Sequence, residues 1–171
     1  MIRLSALDGP PALRAAVLAM RVADKTIKRD INTRVRDTFN PVWRQLVAQN
    51  QGGFSIADSM ALKGARIRGG NPPALIGGNS SRRFGRALIP TKDWHLVEYG
   101  MRPHPVKYSR RSKNGGTHQV TRTVGTGWPA RTKNGRIFGP ATTAILPRIT
   151  SFFVQSVKRA YIDAWENNAN G

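Results

Sequence analysis

An apolar stripe through residues 10–50 constrains this chain most. Leu13, Val17, Met20, Ile27, Ile31 and Val35 recur at steps of three, four or seven, and Phe39, Trp43 and Leu46 extend the row. Only a helix brings residues at such spacings to one face. Arg14, Arg21, Lys25, Lys28, Arg29, Arg34 and Arg36 stand between them, so the other face is cationic. Ser5 or Asp8 is placed to cap the helix, and Pro10 and Pro11 suit its first turn. A helix of roughly 40 residues would span about 60 Å. Asn40-Pro41 is expected to break or kink it, because proline donates no backbone bond and disfavours helical geometry at the residue before it. Two helical pieces are therefore expected.

A second stripe lies near the other end. Ile149, Phe153, Val157, Tyr161 and Trp165 fall at successive steps of four, and Phe152, Ala160 and Ala164 widen it. This predicts a C-terminal helix beginning near Ala144 or Pro147 and spanning about 144–166, with Asn167–Gly171 as its stop. Its aromatic residues are expected in the core.

The middle, 64–140, reads as β-rich and loop-rich. Phe54–Lys63 is ambiguous, with Ser55 able to cap a helical turn. Ala65-Arg66-Ile67-Arg68 alternates like a strand, Gly69–Pro73 is a turn, and Ala74-Leu75-Ile76 is a second short strand. Asp93 or Thr91 can open a short helix through Trp94, Leu96, Val97 and Tyr99, with Gly100 as its stop. Residues 102–116 read as an exposed basic loop, and Gln119–Val124 as a strand. Asn134-Gly135 is a tight-hairpin signal. The expected fold class is α+β: a long N-terminal helix and a C-terminal helix packed on a small, mostly antiparallel sheet with long basic loops. At 171 residues, 39% of them hydrophobic, one domain over 1–171 is expected.

Charge bounds the partners. Lys and Arg number 28 against 9 acids, a net +19. A field of that sign attracts polyanions: DNA, RNA, acidic proteins or anionic membranes. Cysteine is absent, which excludes disulfides, thiolate chemistry and cysteine-built zinc sites. No apolar run has signal-peptide or membrane-spanning length, so a site of action in a cytoplasm, or in a particle assembled there, is expected.

Catalytic constellations are not found. His95, His104 and His118 form no metal-ligand pair at helical spacing, and a metal-dependent nuclease needs carboxylates to hold its ion. Asp93 and Glu98 lie five apart and would not face each other on a helix. The acids read better as caps and surface partners. Gly125-Thr126-Gly127 and Lys133-Asn134-Gly135-Arg136 match no nucleotide-binding motif and read as turns. No catalytic residue, cofactor or metal is assigned, and a non-enzymatic protein is expected. Basic clusters are the better candidates for contact. Arg82, Arg83 and Arg86 flank Phe84, and Lys107, Arg110, Arg111 and Lys113 flank Tyr108. Cations beside an aromatic suit phosphate contact with stacking, or pairing with an acidic neighbour.

Asp93-Trp94-His95-Leu96-Val97-Glu98-Tyr99-Gly100-Met101 resembles the aromatic-x-x-hydrophobic-Val-Glu-aromatic-Gly-Thr segment of phage neck and tail-completion proteins, with Met101 where threonine is usual. Trp94, Val97, Glu98, Tyr99 and Gly100 carry the match. The order of elements is also similar to that family, with Phe138-Gly139-Pro140 and Ile145-Leu146-Pro147 leading into a last helix. The resemblance implies a structural virion protein of a long-tailed bacteriophage, assembled in the host cytoplasm. It would form a ring, six-fold in expectation, that joins portal-side proteins to the tail tube and continues the DNA channel. Its partners would be copies of itself, the neighbouring neck, portal-side and tail proteins, and the DNA passing through, with no membrane. Passage of DNA needs weak binding, so much of the charge is expected to face acidic partner rings or to be paired at interfaces. The alternative is a basic nucleic-acid-binding module, ribosomal or nucleoid-like.

Overall fold

The computed structural model describes residues 2–3, 10–52, 59, 62–83 and 88–169. In chain order they form β1 (Ile2–Arg3), α1 (Pro11–Val22), α2 (Lys25–Gln49), β2 (Arg66–Arg68), β3 (Ala74–Ile76), α3 (Pro90–Tyr99), β4 (His104–Arg111), β5 (Thr117–Val124) and α4 (Phe138–Ala169). The architecture is the α+β mix expected from the sequence. Both sheets are antiparallel: a small one in the order β1-β3-β2, and a separate β4–β5 pair. The expected strands at 65–68 and 74–76 pair across the Gly-Pro turn, with Ile67 opposite Leu75.

The N-terminal region is two helices, but they divide at Ala23-Asp24 and not at Asn40-Pro41. The Asp24 carboxylate accepts the N–H groups of Thr26 and Ile27 at 2.6 and 2.9 Å, which starts α2 anew. Pro41 sits inside α2 on its exposed side, so the carbonyl it leaves unpaired faces water. Phe39, Trp43 and Val47, all buried, hold the helix to the core on both sides of the proline. Trp43 also donates its indole N–H to the Ile76 carbonyl at 2.8 Å. The proposed caps Ser5 and Asp8, and most of the ambiguous Phe54–Lys63 stretch with Ser55, lie outside the described residues.

The C-terminal helix starts earlier than the stripe suggested, at Phe138, and runs to Ala169 through Pro147. Pro140 falls in its first turn, where no backbone N–H is needed. Pro147 is on the solvent side. Ala141, Ile145, Ile149, Phe153 and Val157 bury one edge of α4 against α1 and α2. Phe152 meets Phe39 edge-on at 5.2 Å. Tyr161 and Trp165 do not join this core. Trp165 is 72% exposed, because the stripe outlasts the surfaces of α1 and α2 that cover it.

Residues 102–116 are also not a loop. Most of them are strand β4, paired with β5 from His104–Val124 to Arg111–Thr117. The tight turn is at Ser112–Gly116 around Asn114-Gly115, where Gly115 has φ +84°. Asn134-Gly135 makes no hairpin. It belongs to the segment that wraps the end of α3.

Candidate functional site: a projecting basic arm and its base

Helix α3 is the frame of the site. Pro90 occupies its first position, and Asp93 reaches back to accept the Ile89 N–H at 2.7 Å, so Asp93 supports the start without being the cap itself. Gly100, at φ +70°, ends the helix as expected. A side chain there would collide with the carbonyls of Pro129 and Ala130. The segment 129–137 passes over this end. Met101 donates its N–H to the Pro129 carbonyl at 3.0 Å, and Thr132 donates to the Tyr99 carbonyl at 2.8 Å.

Glu98 closes the arrangement. It is 2% exposed. One carboxylate oxygen accepts the N–H groups of Ile137 and Phe138 at 3.0 and 2.8 Å, and the other accepts Gly139 at 2.8 Å. The carboxylate therefore satisfies the orphan donors at the start of α4, where the helix dipole also favours an anion. Gly135, at φ +76°, lies against the carboxylate, leaving no room for a Cβ. Of the family-like segment, Val97 and Glu98 are buried, Gly100 is the stop, and Trp94 packs near Tyr99 and Phe138. Val97, Glu98 and Gly100 thus build the fold.

The β4–β5 arm leaves this frame. Its residues alternate between two faces. His104, Val106, Tyr108, Arg110, His118, Val120, Arg122 and Val124 share one; Lys107, Ser109, Arg111 and Gln119 belong to the other. Every β4 residue is exposed, and in β5 only Val120 and Val124 are partly covered. The arm carries no acid, since the chain has none between Glu98 and Asp163. Its two strands pack on each other far more than on anything else. A lone two-stranded ribbon is marginal in water, so a covering partner would stabilise it.

At the base of the arm, His95, Tyr99, Arg102, His104, Arg131 and Lys133 line an open cleft of about 980 Å³. The structure thus gathers two histidines that the sequence left apart. No carboxylate lines the cleft, and no cluster of three or more His, Asp or Glu able to hold a metal occurs among the described residues. His104 places Nδ1 3.2 Å from the Arg102 carbonyl, a local contact. The cleft can attract an anion; it has no base–nucleophile pair in hydrogen-bond contact among the described residues.

Of the basic residues singled out from sequence, Lys107 and Arg111 share one face of the arm, Arg110 lies on the other, and Lys113 is in the tip turn. Arg82 and Arg83 are exposed in the segment between β3 and α3, and Arg86 lies outside the described residues. Arg102, Arg131 and Lys133 were missed. They come from two segments distant in sequence that the hydrogen bonds of Pro129 and Thr132 help bring together, and no local pattern marks them. No helix of the described residues is long and apolar enough to cross a membrane. No protein-family model matches the chain, and no curated protein or solved structure matches it significantly.

Proposed function

We propose that this chain is a structural subunit of the head–tail neck of a long-tailed bacteriophage, acting without catalysis. In this reading it forms a ring, six-fold in expectation, between portal-side proteins and the tail tube, and the DNA passes through it. The observation that carries the reading is the β4–β5 arm, two eight-residue strands exposed on both faces, with Lys107, Arg110, Arg111 and Arg122 and no acid. An exposed ribbon of this kind suits an element covered by a neighbour in an assembly. A second surface of the same sort supports it. Ala12, Ala15, Ala19, Val154 and Ile162 line an apolar groove between α1 and α4, with Leu18, Val22 and Trp165 exposed on the same two helices. Rings are closed by such head-to-tail contacts between unlike surfaces of identical subunits. The specific form of this reading rests on the resemblance of 93–101 to the neck family.

Native mass spectrometry of the purified protein, and electron microscopy of any particle that contains it, test this. A closed ring, or ring-shaped density between capsid and tail, is the expected result. A monomer that never joins a particle and binds nucleic acid tightly at low salt would instead favour a free-standing nucleic-acid-binding module.

A further inference from the structure

A trough between α2 and the edge of β2 is built from hydrogen-bond donors. The alternation of β2 puts Ile67 in the core and leaves Arg66 and Arg68 exposed on one side. Arg29 and Arg36 of α2 line the opposite wall, and the space between is about 480 Å³. Asn32 and Asn40 form the floor. Their side-chain oxygens are already engaged: Asn40 accepts the Ile67 N–H at 2.6 Å, and Asn32 accepts the Gly70 N–H at 2.8 Å. The Asn40 bond covers the outer edge of β2 at Ile67, and both carboxamides keep an NH₂ with no partner among the described residues. Thr33 accepts from Arg36 at 3.1 Å. Arg29 lies 3.6 Å from Asp30, an exposed contact between sequence neighbours. Asp30 itself lines a different cleft, toward α4, and no carboxylate lines the trough.

We propose that this trough binds the phosphodiester backbone of nucleic acid. All four cations are arginines, whose planar fork matches the paired oxygens of a phosphate. An acidic peptide would bring backbone N–H groups that need acceptors, and each side-chain oxygen of the trough already takes one hydrogen bond. A phosphate backbone brings acceptors only, which suits four guanidinium groups over two carboxamide NH₂ groups. The site is independent of ring formation, so its failure and the failure of the neck reading are separate outcomes.

The test is fluorescence anisotropy with a labelled 30-base-pair duplex across a salt series, using the full chain. The Arg36→Gln/Arg66→Gln/Arg68→Gln variant should weaken binding by roughly tenfold or more and flatten the salt dependence by about one unit of log–log slope for each phosphate no longer neutralised. Lys107→Gln/Arg110→Gln/Arg111→Gln removes the same charge from the arm and should do distinctly less. Asn32→Asp keeps the acceptor for Gly70 and puts a carboxylate oxygen where the NH₂ stood, so it should also weaken binding while the circular dichroism melt stays close to the parent. Equal losses of affinity from the trough and arm variants would overturn the proposal, because net charge alone would then explain binding. So would polyglutamate displacing the duplex from the parent, but not from the trough variant, at matched charge concentration.

Discussion

Glu98 accepts the backbone N–H of Phe138 at 2.8 Å across 40 residues of sequence. With the bonds from Ile137 and Gly139, that contact fixes where α4 begins and ties it to the end of α3. Between the two partners the chain sends out the β4–β5 arm and returns along 129–137. The buried carboxylate is thus the clasp at the base of the arm.

Glu98→Gln keeps the shape but presents an NH₂ to at least one backbone donor. A buried donor left without an acceptor, and the loss of charge-assisted bonds, should cost about 2–3 kcal/mol. For a chain of this length that lowers Tm by roughly 5–10 °C. Urea unfolding followed by circular dichroism reads it. A change below about 0.5 kcal/mol, the size of an ordinary surface substitution, would show that the clasp is not structural.

Gly135 and Gly115 both have positive φ, +76° and +84°, but differ in surroundings. A Cβ at Gly115 meets nothing within 4 Å, whereas one at Gly135 collides with the Glu98 carboxylate. Gly115→Ala should therefore cost only the left-handed backbone penalty, about 1–2 kcal/mol. Gly135→Ala should cost clearly more, and its effect should couple to that of Glu98→Gln in a double-mutant cycle. Equal, additive costs would mean that the close approach at Gly135 does not matter.

Pro41 interrupts the hydrogen bonding of α2 on its exposed side. Pro41→Ala restores a donor and a good helix former, so stabilisation of about 1–3 kcal/mol is expected. Thermal unfolding measures it. Destabilisation would show that the proline sets a bend on which the seating of Phe39 and Trp43 depends.

The arm should be separable from the fold. Replacing 105–123 by Asn-Gly joins His104 to Val124, which already face each other. The arm leans little on the remaining chain, so stability should change by less than about 1 kcal/mol. Assembly into a ring or particle should fail. A truncated chain that still assembles would remove the arm from the proposed interface.

The helical character of α1, α2 and α4 was legible because their stripes are periodic. Leu13 to Val35 and Ile149 to Val157 are buried at the spacings the sequence shows, apart from the half-buried Ile27. The β2–β3 pair was legible because its strands and turn are adjacent, and so was the stop at Gly100. Of the arm, Gln119–Val124 was legible as a strand and lies within β5, but β4 was hidden by its chemistry. His104–Arg111 has two exposed faces, so neither carries the apolar alternation that marks a half-buried strand. The trough was half visible, in the Arg-Ile-Arg of β2, but its other wall lies on α2 some thirty residues earlier.

Sequence by itself determined the periods: which residues line a helix face, which alternate, where glycine permits a stop, and how much positive charge the surface must carry. Those are local properties, and neighbouring residues suffice to express them. Tertiary structure decided the boundaries and exposures. Helix α4 starts at Phe138 because a carboxylate from α3 meets its free N–H groups. Helix α2 survives Pro41 because the core grips it on either side of an unpaired carbonyl that water can satisfy. Trp165 stands exposed because its stripe runs past the helices that could cover it. Each outcome depends on which distant surface arrives at a given residue, and that is set by packing, not by the residue's neighbours in the chain.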